Sequence, residues 1–253
     1  MSYLTKYNRQ LSLNDRALFD SYQSIFEQAY NNNEFDPILQ ENSRKLFFHY
    51  PEKGFIPKRV EVYAVVVGLS FSQKLQDQAS QIQKELESIC NSKNCYWVLP
   101  QNLASELIIL KWPENQKITI NINELKVFLE TLIFEDLHLN IEGFQINIDG
   151  CVLLRGFDNG ILRNIRTKLI KRFPNLPSKQ SLWIHIPLGR ILNPISSEKY
   201  REIMELALNS TKKSPILEKI PFFKLIKENQ WYMTDKEQLW KVKANSNDYW
   251  KPL

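Results

Sequence analysis

Glycine is scarce in this sequence, with only 7 glycines among 253 residues. Glycine-rich loops that cradle phosphate groups need several glycines at fixed spacing, close to the start of a helix. No such spacing occurs here. The sequence therefore excludes nucleotide binding of the Walker or Rossmann type.

Cysteine is also rare, with three residues at positions 90, 95 and 151. An odd and sparse set gives no disulfide framework and is typical of a reducing compartment. Cys90 and Cys95 have no further cysteine or histidine nearby that would complete a zinc site. We interpret the cysteines as structural or incidental, and we expect neither a bound metal nor a cofactor.

Long apolar runs are missing as well. The first residues, Met1 to Lys6, lack the apolar core of a signal peptide, and no run approaches the length of a membrane span. A cytoplasmic protein with no membrane association is therefore expected. The net charge of +5 allows a polyanionic partner without requiring one.

The elements that are present alternate between strands and helices. Valine-rich and apolar runs predict strands, and apolar residues spaced three or four apart predict helices. Hairpin signals such as Asp149-Gly150 lie between them. The order predicts an α+β protein with mixed or antiparallel sheets in two lobes. The predicted units are a helical N-terminal extension (1–57), a two-lobed domain (58–245, with lobes 58–135 and 136–245) and a tail (246–253).

One apolar stretch, Ser181 to Leu192, carries the strongest candidate for chemistry. It predicts a buried strand that is interrupted by His185, whose imidazole can give and take a proton near neutral pH. Pro187 indicates an edge or a bulge, and Gly189 allows the backbone to bend. Arg190 has a fork of donors suited to phosphate. The alternatives are a phosphate-binding strand end and a core histidine beside a solvated arginine.

Two stretches together resemble the 2H phosphoesterase superfamily, which includes bacterial RNA 2′–5′ ligases and cyclic phosphodiesterases. They are Pro100 to Leu110 and Trp183 to Arg190. The family has a His-x-Thr/Ser motif in each half. Its two histidines face each other across a groove, as general base and general acid on a 2′,3′-cyclic or 2′–5′ phosphodiester. The resemblance implies two pseudo-symmetric sheets, flanked by helices, around such a groove.

The motif residues themselves are largely replaced. His185 is retained, but Ala104 occupies the position of the first histidine, and Glu106 and Pro187 occupy the positions of the hydroxyl residues. Alanine cannot move a proton, and a proline side chain cannot bind a phosphate oxygen. We therefore expect a catalytically degenerate protein whose groove binds a nucleotide, an RNA end or a protein partner. The alternatives are an active phosphodiesterase that pairs His185 with Glu106, and a structural or assembly protein.

Other residues are candidates for binding. Arg190, Arg155 and Trp183 are expected to contact phosphate or nucleotide, and other tryptophans offer stacking surfaces. Basic residues along 161–173 either follow a nucleic-acid backbone or form a solvated helix face. His138 and His49 lie outside the two motifs, and we interpret both as structural.

Overall fold

The computed structural model describes residues 13–132 and 137–244. In these ranges the protein is α+β, with six helices: α1 (Leu13–Tyr30), α2 (Pro37–Arg44), α3 (Gln73–Cys90), α4 (Ile122–Glu130), α5 (Ile161–Arg172) and α6 (Ser197–Ser210). The predicted tail lies outside them. Across the same ranges, no helix combines the length and the apolar character that a membrane crossing needs.

Eleven strands are described, and every pairing between them is antiparallel. They are β1 (Phe47–Tyr50), β2 (Gly54–Pro57), β3 (Arg59–Gly68), β4 (Cys95–Trp97), β5 (Ala104–Lys111), β6 (His138–Ile146), β7 (Cys151–Phe157), β8 (His185–Ile191), β9 (Ile216–Lys219), β10 (Phe222–Gln230) and β11 (Asp235–Lys243). The predicted α+β class is thus confirmed, and of the two expected alternatives, mixed or antiparallel sheets, the described strands form the antiparallel one.

The strands form a β1–β2 hairpin and two larger sheets. The four-stranded sheet has the order β11-β10-β3-β5, and the five-stranded sheet has the order β4-β8-β7-β6-β9. Both large sheets therefore take strands from each side of residue 135. One continuous apolar cluster joins them, with Leu107 and Leu225 from the four-stranded sheet and Leu154 and Leu188 from the five-stranded one.

Side-chain caps decide where several helices begin. Ser72 accepts a hydrogen bond from the Leu75 amide at the start of α3, and Ser196 accepts one from the Lys199 amide at the start of α6. The sequence also predicts Asn123 as the cap of α4. The structure corrects this position, because Asn121 accepts from the amides of Asn123 and Glu124 and begins the helix two residues earlier.

Three further predictions are wrong in detail. The helix expected from Pro37 to Phe48 ends at Arg44, and the loop expected near Gly54 is part of the β1–β2 hairpin. The two strands expected within 137–156 do form, but they separate between Ile146 and Cys151, and Gly143 lies inside β6. A register shift between Ile141 and Phe144 absorbs Gly143 into that strand.

Candidate functional site: a groove between two sheets

A groove of about 480 Å³ is lined by residues of β5 and β8, one strand from each large sheet. Its aromatic side chains are Trp112, Trp231 and Tyr232. Its polar side chains are Asn102, Glu106, Glu114, Lys179, His185, Arg190 and Glu228. The groove therefore brings together Ala104 and Glu106 of the first sequence motif with His185 and Pro187 of the second.

Strand β5 supplies one wall through the alternation of its side chains. Ala104 and Glu106 line the groove, whereas Leu103 and Leu107 are buried in the main apolar cluster. The register with β3 shifts between Glu106 and Ile108, which leaves Leu107 as an extra residue. This bulge lies directly beside Glu106.

Strand β8 supplies the opposite wall and also contains a bulge. His185 and Pro187 line the groove, and Leu188 is the extra residue in the register with β7. The bulge shifts by one residue the alternation of side chains between the two faces of β8. Arg190 therefore faces the groove, as His185 and Pro187 do. The irregularity predicted from Pro187 is thus confirmed.

The environment of His185 keeps its imidazole neutral. Burial lowers the pKa of His185 to about 4, and the positive charges of Arg166 and Arg190 contribute to the decrease. Its Nδ1 is buried and has no hydrogen-bond partner among the described residues. The Trp183 ring packs edge-on at 6.1 Å. At neutral pH the imidazole is a free base.

Glu106 is the carboxyl group nearest to the degenerate first motif. Burial raises its pKa to about 7, although Arg166 and Lys179 act in the opposite direction. Across 13–132 and 137–244, the carboxyl makes no hydrogen bond or ion pair. Glu106 is therefore a partly protonated group with open hydrogen-bonding positions.

Glu228 is a second groove carboxyl, and sequence reasoning missed it. It comes from β10, is 4% exposed, and accepts a hydrogen bond from the Met233 amide at 2.8 Å. Burial raises its pKa to about 7, and the charge of Glu106 contributes. Its neighbours Lys227 and Asn229 are also polar, so the sequence does not mark it as buried. The bond holds a turn in which Tyr232 and Met233 have left-handed φ angles of 65° and 56°.

Arg190 lines the groove but already has protein partners. Its Nη1 donates to the Asp149 carboxylate at 2.7 Å and to the Ser43 hydroxyl at 2.6 Å, and its Nε donates to the Tyr232 hydroxyl. These bonds join β8 to α2 and to the turn after β10. The positive charge of Arg190 is largely offset by Asp149.

Arg155 and Trp183 lie beside the groove rather than in its lining. Arg155 is opposite His185 in the β7–β8 register, but it is buried, with its guanidinium 5.4 to 5.7 Å from the rings of Phe19, Tyr22 and Phe157. The Trp183 indole donates to Ser21 at 2.9 Å. Helix α1 thus covers both residues.

The basic cluster predicted on residues 161–173 is divided by the fold. Arg166 is buried and donates to the backbone carbonyls of Leu107 and Glu106, at 2.7 and 3.0 Å. The other four basic residues, Arg163, Lys168, Lys171 and Arg172, remain exposed.

Neither His138 nor His49 lines the groove, and His49 packs on Phe55 with ring centres 4.5 Å apart.

Comparisons with known proteins identify a similar fold but no family. No protein-family model matches the chain, and no curated protein matches its sequence. TT0787 of Thermus thermophilus has a similar structure, with a TM-score of 0.51 and 12% identity over 74% of this chain and 99% of that one. ATU0111 from Agrobacterium tumefaciens, a conserved protein of unknown function, gives a TM-score of 0.46 and 12% identity over 78% and 92% of the two chains. At this identity the likeness to TT0787 concerns the fold alone.

Proposed function

We propose that this protein is a catalytically degenerate 2H phosphoesterase-like protein whose groove binds a nucleotide or an RNA end. The observation that carries the proposal is the position of the two motifs. Ala104 and His185 are 81 residues apart in sequence, yet both line one groove, and so do Glu106 and Pro187. This juxtaposition is what the resemblance to the family implies for its two motifs.

The lining supports loss of paired histidine catalysis. General acid–base chemistry on a phosphodiester needs two groups, and each typically contributes ~10² to 10⁴ in rate. His185 is the one imidazole in the groove lining, as far as the described residues go. Alanine replaces its partner, and burial raises the pKa of the Tyr232 hydroxyl well above its ordinary value, so it is a poor base at neutral pH. Binding without turnover is the outcome that these groups favour.

The lining also supports binding of a base. Trp112 and Trp231 are half-buried in the groove, and a nucleobase that stacks on an aromatic side chain typically gains ~1–3 kcal/mol. Lys179 is exposed at the rim, with its ammonium 4.9 Å from the centre of the Trp112 ring. Its positive charge can attract a phosphate group of the ligand that extends out of the groove.

A titration with product analysis tests this function. Nucleoside 2′,3′-cyclic phosphates and short RNAs with cyclic ends are added to the wild type, to His185→Ala and to the control His49→Ala, which lies outside the groove. We expect binding without product, weakened in His185→Ala and unchanged in the control. Absence of binding by every nucleotide would overturn the proposal, and so would product that disappears in His185→Ala.

An active phosphodiesterase is the second candidate, favoured by the opposite pKa shifts of two groove residues. Glu106, with its pKa raised to about 7, retains a proton, while His185, with its pKa lowered to about 4, is a free base. The pair would give a bell-shaped pH–rate profile between these values. Product formation that is lost in both His185→Ala and Glu106→Gln would establish this candidate instead.

A further inference from the structure

We infer that the groove recognises a guanine base, with the Glu106 carboxylate accepting two hydrogen bonds from it while a groove tryptophan stacks on its face. The inference rests on the proposed function and specifies the ligand. It assigns Glu106 to the base. In the 2H family, this position of the motif has a hydroxyl residue beside the phosphate. Here it would have a carboxylate that recognises the base.

The first step is the Glu106 carboxyl, which has no hydrogen-bond partner among the described residues. Its positively charged neighbours are engaged elsewhere, because Arg166 donates to backbone carbonyls and Lys179 lies over the Trp112 ring. Burial disfavours the charged form of this carboxyl, so a ligand that brings N–H donors stabilises it. It disfavours a phosphate at the same place, since two negative charges repel.

The second step is the pattern of donors on each base. Guanine presents two adjacent donors, N1–H and N2–H, on its Watson–Crick edge, which is the geometry that a carboxylate accepts in a bidentate manner. Adenine and cytosine place an acceptor beside their donor, and uracil places its single donor between two acceptors. Only guanine among the four bases satisfies both carboxylate oxygens with N–H groups.

The third step is the surroundings of the carboxylate. Trp112 and Trp231 line the same groove, and the Lys179 ammonium lies over the Trp112 ring. A base that stacks on Trp231 leaves Lys179 in that position. The ammonium then remains at the rim, where the sugar and phosphate of an inward-pointing base would lie.

Phosphate-free nucleosides isolate this interaction. Guanosine, inosine, adenosine and cytidine are titrated into the wild type, Glu106→Gln and the matched control Glu237→Gln, which makes the same chemical change at an exposed position of β11. We expect guanosine to bind at least about tenfold more tightly than adenosine and cytidine. Inosine, which lacks the N2 amine, is expected to fall between them. Glu106→Gln should lose the preference, whereas Glu237→Gln should keep it.

The pH dependence gives a second readout. The charged groups that face Glu106 are Arg166 from α5, Lys179 from the segment before β8, and Glu228 from β10. Because the carboxylate form accepts the bonds, guanosine affinity should rise from about pH 6 to about pH 8 and then level off. Glu106→Gln should show no such rise.

The other outcomes separate the two proposals. Equal binding of all nucleosides, unaffected by Glu106→Gln, would overturn the guanine inference and leave the proposed function in place. A preference for adenosine that grows as the pH falls would also overturn it. In that case the protonated form of Glu106, and not its carboxylate, would recognise the base. If neither nucleosides nor nucleotides bind, the proposed function and the inference both fail.

Discussion

At the scale of single residues, Gly189 decides which side chains of β8 line the groove. Its φ angle is +154°, and an added Cβ would lie 2.2 Å from the Tyr96 carbonyl oxygen and 2.5 Å from Cε3 of Trp97. A side chain at this position cannot coexist with the present β4–β8 pairing. Gly189 therefore maintains the bulge that brings Arg190 to the groove side.

We predict that Gly189→Ala destabilises the protein by about 2–4 kcal/mol, since overpacking against backbone adds to conformational strain. Urea unfolding followed by circular dichroism measures the loss. Gly54→Ala is the control, because Gly54 has φ +71° but no atom within 4 Å of an added Cβ, so only the strain of about 1 kcal/mol is expected. Equal losses in the two variants would show that the contact with Tyr96 is unimportant.

The sequence predicted some groove residues and could not predict others. Glu106, His185 and Arg190 were found because they lie within or next to two short motifs. Glu228 was missed because nothing local distinguishes a carboxyl that faces a cavity from one that faces solvent. The sequence predicts that Arg155 binds phosphate, but helix α1 packs over it, and no local pattern shows this tertiary contact.

At the scale of elements, the free edge of β5 is closed by side chains instead of another strand. Gln180 donates to the Ile109 carbonyl at 2.9 Å and accepts from the Ile109 amide at 2.8 Å, as a paired strand would. Arg166 binds the carbonyls of Glu106 and Leu107 on the same strand. The wall of the groove thus has these edge hydrogen bonds satisfied without a further strand.

We predict that Gln180→Ala speeds hydrogen exchange of the Ile109 amide by about tenfold, because its partner is lost and opening costs ~1–1.5 kcal/mol less. Hydrogen–deuterium exchange resolved at single residues measures the rate. Gln180→Glu retains the acceptor for that amide and should preserve more of its protection. An unchanged Ile109 rate in Gln180→Ala would mean that this side chain does not protect the edge.

Periodicity is informative for longer elements such as α1, α3 and α6, since each buries one apolar face. It failed for the short strands β1 and β9. In β1 only Phe47 is buried and the next three residues are exposed, so no alternation marks the strand. Pairing of such strands is decided by their neighbours in space, which the sequence does not display.

At the scale of the whole molecule, each large sheet contains strands from before and after residue 135. Cutting the chain near residue 135 would therefore divide both sheets. Strands β10 and β11 complete the sheet built around β3, and β4 pairs with β8. The main apolar cluster also includes residues from both sheets. These features favour a single cooperative unit, in which the groove exists only when both parts of the chain are folded.

We predict that fragments 1–135 and 136–253, expressed separately, do not fold. Fragment 1–135 contains β3 without its neighbour β10, and fragment 136–253 contains β10 without β3. Each fragment therefore exposes apolar surface that the intact chain buries. The intact protein should unfold in urea in one transition, coincident by tryptophan fluorescence and circular dichroism. A cooperative transition in fragment 1–135 alone would show two independent lobes. In one cooperative unit, loss of either large sheet would also abolish the groove, because residues of β5 and β8 line it together.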